Sequence, residues 1–319
     1  MKGWIGLAAG LMLALAQTTA ASAQIADFEK QQAELDKVPD SQGDGPYPSV
    51  MEIVPSLGDY VVYRPADLSP LKPDHLGLFV WGNGACTDDG ASARQHLSEI
   101  ASYGYLVIAP GKWRSGPNAI EKRAPQRPPG TDGTIPKPPT TAADLRAALD
   151  WALDENERHG SRYFGMINEN LVAVGGFSCG GLQALEIAGD ERVRTVVIEN
   201  SGIFNDGSQA IAGMTLKKDA LKRLHTAVLY LLGGPTDIAY ANGTDDFARI
   251  DPIPAVMVNV PTGHGGTYNE PNGGRNARIV VDWLEWQLRH DMKAARSFVG
   301  EGCGLCGDPN VELQIKNFR

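Results

Sequence analysis

One stretch, Gly176-Phe177-Ser178-Cys179-Gly180-Gly181, constrains this chain more than any other. The apolar run Leu171-Val172-Ala173-Val174-Gly175 leads into it, and Leu182-Gln183-Ala184-Leu185-Glu186-Ile187-Ala188 leads out. The first run has the length and composition of a buried strand, and the second reads as a helix. The link between them is short enough to demand a sharp turn. Gly176 and Gly180 suit it because strand and helix backbones must pass close to those positions. Such a turn lifts the Ser178 hydroxyl above the sheet edge, beside a helix N-terminus whose partial positive charge favours an anion. The bare G-x-S-x-G pattern also arises in idle glycine-rich links. The flanking strand and helix are what make it a turn that presents a nucleophile.

The rest of the chain repeats the alternation. Tyr60 to Pro65 reads as a strand, and Leu76 to Trp81 as a buried one closed by Gly82-Asn83-Gly84. Helical spacing follows over Ala91–Tyr103, with Leu97, Ile100 and Ala101 on one face, and then a strand over Tyr105–Pro110. Strand, helix and strand make a βαβ unit, which implies parallel pairing. Thr140-Thr141-Ala142-Ala143-Asp144 opens a helix to about Asn156 that buries Leu145, Leu149 and Ala152, with Trp151 beside them. Beyond the serine turn come strands over Val193–Ile198, Ala227–Leu232 and Val256–Val260, and a final helix over Asn276–Asp291. This pattern predicts an α/β fold with a doubly wound, mostly parallel sheet. Gly111 to Pro139 is a long Pro- and Gly-rich loop at the carboxyl end of a strand, where such sheets bind ligands.

The N-terminus stands apart. Lys2, the apolar run Trp4–Ala16 and the small residues Ala21-Ser22-Ala23 fit a cleaved signal peptide over 1–23. The apolar run is too short for a comfortable membrane span. Residues 24–319 then form one domain, with a polar lead-in over Gln24–Pro48, in a secreted or periplasmic setting. The formal net charge of −9 and the lack of a Lys/Arg-rich stretch leave nucleic-acid binding without an electrostatic footprint. Four cysteines in an oxidising compartment favour disulfides over a metal site.

A serine hydroxyl needs a base within hydrogen-bond reach, itself oriented by an acid. For this kind of turn the chain order is serine, acid, histidine. Asp237 follows the strand ending at Leu232, in the turn Gly233-Gly234-Pro235-Thr236. His264 follows the strand ending at Val260, in Pro261-Thr262-Gly263. Each residue alone is unremarkable, because Asp is common in turns. Their order and their places past strand ends single them out as acid and base. Glu199, Asp245 and Asp246 are rival acids, while His75, His96, His159, His225 and His290 sit in worse positions. Backbone N–H groups that would stabilise an oxyanion are expected from Cys179, just after the serine, and from Ala85 in the loop Gly82–Cys86.

With these residues in hand, the chain from about Tyr60 to Asp291 resembles the α/β-hydrolase family. The short link between serine turn and acid is similar to that of dienelactone hydrolases, cutinase-like esterases and polyester hydrolases, rather than lipases with a large lid. The resemblance implies an α/β-hydrolase fold and hydrolysis of a small-molecule or polymeric carboxylic ester through an acyl-enzyme. Ser178, Asp237 and His264 would form the triad, with no metal or organic cofactor. A peptidase or amidase on the same triad, and an inactive binding protein on the same fold, are the alternatives. The loop Gly82-Asn83-Gly84-Ala85-Cys86 departs from the polyester hydrolases, which carry a large aromatic there; Trp81, Trp113 and Tyr240 are the candidates to replace it. If Ala85 and Cys179 both face one oxygen, Cys86 and Cys179 come within disulfide reach. Cys303 and Cys306 are then left to pair locally and pin the C-terminal tail.

Overall fold

The computed structural model describes residues 30, 32–123, 137–207 and 211–318. Residues 1–23, where a signal peptide is expected, and residues 124–136 of the long loop lie outside these. The chain divides into two compact units. The small one comprises residues up to Asp40 together with Gly116–Asn118, and the large one holds everything else. In the small unit the Gly116 N–H donates to the Asp36 carboxylate at 3.0 Å, and the Asn118 amide donates to Asp40 at 2.9 Å.

The large unit is α/β. Among the described residues its nine strands are β1 (Ser49–Glu52), β2 (Tyr60–Pro65), β3 (Leu76–Gly82), β4 (Tyr105–Pro110), β5 (Ile167–Phe177), β6 (Thr195–Glu199), β7 (Ala227–Leu232), β8 (Ala255–Asn259) and β9 (Glu312–Lys316). They lie in one sheet in the order β1-β2-β4-β3-β5-β6-β7-β8-β9. The six strands from β4 to β8 in that order run parallel, and antiparallel strands β2 and β9 flank them. Among the described residues, six α-helices accompany the sheet: α1 (Arg94–Ser102), α2 (Ala142–Glu157), α3 (Cys179–Ile187), α4 (Tyr240–Arg249), α5 (Gly274–Arg289) and α6 (Met292–Ala295).

Side chains alternate across each strand, so the sheet feeds two cores. Leu78 and Val80 point to one face with Leu145 and Leu149 of α2 and Leu182 and Leu185 of α3. Phe79 and Trp81 point to the other, with Leu97 of α1 and Trp283 and Leu284 of α5. The winding reverses where β3 lies between β4 and β5. A crevice opens at the carboxyl ends of strands at such a point. The serine turn leaves β5 there. Among the described residues, no helix is long and apolar enough to cross a membrane.

Three features differ from the sequence expectation. First, α1 is buried all round rather than on one face: Arg94, Gln95, His96 and Glu99 are as enclosed as Leu97. Of its buried polar groups, Glu99 accepts the Asp44 N–H at 2.8 Å. Second, α5 stops at Arg289 because His290 adopts left-handed geometry, φ 56°, and ends the helix. Asp291 then caps α6 by accepting the Lys293 N–H. Third, the tail beyond Cys306 returns to the sheet as β9, against β8.

Candidate active site

Ser178 is the first non-strand residue after β5 and the N-cap of α3, with φ 54° and ψ −121°. That is a costly conformation for a residue with a side chain. The surroundings enforce it. The Ser178 N–H donates to Glu199 O at 2.9 Å, and the Ser201 hydroxyl donates to Ser178 O at 2.6 Å. A Cβ on Gly176 would stand 2.5 Å from the Gly180 backbone, and one on Gly180 would stand 2.0 Å from the Gly82 backbone. Only glycine permits strand, turn and helix to approach so closely.

The structure brings the three predicted side chains together. His264 Nε2 lies 3.0 Å from Ser178 Oγ, and His264 Nδ1 lies 2.6 Å from Asp237 Oδ1. The Asp237 carboxylate is buried and accepts from the Gly233 N–H at 3.0 Å, the Ala239 N–H at 2.9 Å and the Asn200 amide at 2.8 Å. Burial alone would push its pKa up. The hydrogen bonds from His264, Ala239, Gly233 and Asn200 outweigh that and hold it below the ordinary value. Asp237 is therefore an anion aimed at the imidazole.

The loop after β3 is left-handed at two successive residues, Ala85 with φ 52° and Cys86 with φ 47°. Its tight turn uses the Cys86 N–H on Asn83 O and the Thr87 N–H on Gly84 O. The Ala85 N–H precedes both bonds in that turn. Cys179 is the first residue of α3, so its N–H has no intrahelical acceptor. The Cys86–Cys179 disulfide joins the two segments, with Cα atoms 5.3 Å apart, and Cys303–Cys306 closes the tail with Cα atoms 5.1 Å apart. Four of the eight described non-glycine residues with positive φ belong to this site: Ala85, Cys86, Ser178 and Asn200. Backbone strain concentrated in this way is a mark of functional sites.

The rival acids face elsewhere. Glu199 is fully buried and lies 3.0 Å from His96 Nε2. Asp245 pairs with Lys218 and Arg249 near the surface, and Asp246 is buried against Lys218 and the Ile203 N–H. Trp81 is fully enclosed in the core and supplies no substrate platform. Trp113 and Tyr240 are half-buried. Sequence reasoning missed Phe177, whose ring lies 5.2 Å from that of His264, and Tyr268, whose ring lies 4.5 Å from that of Phe177. It also passed over Asn200 in favour of its neighbour Glu199. Compared with known proteins, the chain matches no family profile and no curated sequence.

Proposed function

We propose that this protein is an exported serine hydrolase of the α/β-hydrolase fold that cleaves carboxylic esters through an acyl-enzyme. The observation that carries the reading is the continuous relay Ser178 Oγ–His264 Nε2 at 3.0 Å and His264 Nδ1–Asp237 Oδ1 at 2.6 Å, assembled from three separate strand ends. In the forward step Ser178 Oγ attacks the ester carbonyl carbon while His264 Nε2 takes its proton. Asp237 holds the Nδ1–H and stabilises the imidazolium. The tetrahedral oxyanion lies between the N–H groups of Ala85 and Cys179. Collapse expels the alcohol, which leaves with the proton from His264. Water then attacks the acyl-Ser178 carbonyl with His264 as base, releasing the acid and restoring the hydroxyl.

An activity-based fluorophosphonate, followed by peptide mapping, tests the nucleophile directly, with Ser178 the expected site. Short-chain p-nitrophenyl esters set beside the matching anilides test the leaving group. Turnover of the anilides at rates equal to the esters would replace the esterase reading with an amidase one. Absence of labelling at Ser178 would favour an inactive binding protein.

A further inference from the structure

Asn200 stands one residue past β6 and takes no part in the chemistry above. It is buried, with φ 44°. Its Nδ2 donates to Asp237 Oδ2 at 2.8 Å and to Gly263 O at 3.1 Å, while its Oδ1 accepts from the Tyr268 hydroxyl at 2.5 Å. A buried amide has two unlike ends, and here each end meets its complement. Reversing the amide would set its oxygen against a carboxylate and a carbonyl, and its N–H groups against a hydroxyl donor. Gly263 immediately precedes His264, so one side chain grips both the acid and the loop that carries the base. Tyr268 is fixed in turn by ring contacts to Phe177 at 4.5 Å and His96 at 5.2 Å. Among the described residues, Glu199 at the end of β6 and His96 of α1 are titratable groups set against Tyr268, both fully buried and 3.0 Å apart.

We propose that Asn200, oriented by Tyr268, is a positioning residue that fixes the Asp237 carboxylate and sets how strongly that carboxylate holds a proton on His264. This rests on the triad reading above. A donated N–H draws charge away from the carboxylate. Without it, Asp237 becomes a stronger acceptor for the Nδ1–H, the imidazolium is favoured, and the free base appears only at higher pH.

The test is the rate of fluorophosphonate labelling at Ser178 as a function of pH, on variants whose circular dichroism matches wild type. In Asn200→Ala, and in the similarly sized Asn200→Leu, the acid limb moves up by about half a pH unit, because neither side chain donates to Asp237. Tyr268→Phe keeps the ring and moves the limb in the same direction by less. An unmoved limb in the folded Asn200 variants overturns the proposal, even if the plateau rate falls, since lost packing lowers a rate without displacing its pH dependence. Should the Asn200 variants fail to fold, a Tyr268→Phe limb coincident with wild type overturns it. Failure of the triad reading shows separately, as wild-type Ser178 left unlabelled at every pH, and withdraws both.

Discussion

At the scale of single residues, the site depends on side chains held where their backbones are strained. Ser178 at φ 54° keeps its conformation because the Glu199 carbonyl, the Ser201 hydroxyl and the Gly176–Gly180 crossing leave the turn no alternative. Ser178→Ala and His264→Ala are each expected to lower ester hydrolysis on the order of a thousandfold or more, with unfolding temperatures close to wild type. Asp237→Asn removes the negative charge that His264 Nδ1 faces and favours the wrong tautomer, so its loss is also severe, about a thousandfold or more. Steady-state kinetics on purified variants measures all three. The rival acids lie against other groups, Glu199 3.0 Å from His96 Nε2 and Asp246 paired with Lys218. Near-wild-type turnover by Asp237→Asn would therefore sink the triad reading rather than pass the role to a neighbour.

At the scale of elements, the segment before β1 and two helices meet at a carboxyl pair that responds to pH. The Asp44 N–H donates to Glu99 of α1 at 2.8 Å, and Arg278 of α5 pairs with Asp44 at 2.9 Å. Burial first, and then the proton shared with Asp44, push Glu99 up to about 7 from its ordinary 4.5, while the Glu99 hydrogen bond lowers Asp44. Folded protein thus holds a proton on Glu99 in a range where the unfolded chain has released it. Stability is fullest below 4.5 on this account and falls as pH rises toward about 7. Asp246, raised by burial to about 6 although Lys218 draws it down, acts with the same sign. Thermal melts at about pH 5.5 and about pH 8.5 should show wild type losing about 3 °C or more at the higher pH. Glu99→Gln should lose most of that difference and retain the part due to Asp246; a variant falling as far as wild type would refute the assignment. The pair was invisible in the sequence, where the helical spacing singled out only Leu97, Ile100 and Ala101 on one face. The central strands were legible because apolar runs end in glycine-rich links, and the same links exposed Ser178, Asp237 and His264. Strands β1 and β9 were not, being short edge strands with weak apolar alternation, and α4 carries Asn242, Gly243 and two aspartates that disguise a helix packed through Phe247. Asn200 and Tyr268 were missed because their roles exist only in long-range contacts.

At the scale of the whole large unit, the Cys86–Cys179 bridge joins two segments 93 residues apart in sequence, the exit of β3 and the start of α3. These are the segments whose N–H groups would hold the oxyanion. Closing a loop of that length restricts the unfolded chain far more than the three-residue separation of Cys303 and Cys306 does. Its removal is expected to cost about 2–4 kcal/mol, enough to lower the unfolding temperature by about 5 °C or more. The effect on chemistry should be separable from the effect on stability. In Cys86→Ala/Cys179→Ala, measured well below its own unfolding temperature, the left-handed pair Ala85–Cys86 is no longer tethered to the helix start. Donors that must share one oxygen within hydrogen-bond reach then drift apart, and the labelling rate at Ser178 should fall about tenfold or more. Cys303→Ala/Cys306→Ala leaves that geometry untouched and should match wild type in rate, with only the tail loosened. Differential scanning calorimetry and labelling kinetics on the two double variants decide the matter. A Cys86→Ala/Cys179→Ala protein that keeps both the wild-type melting temperature and the wild-type labelling rate would show that the bridge neither braces the fold nor aligns the two donors.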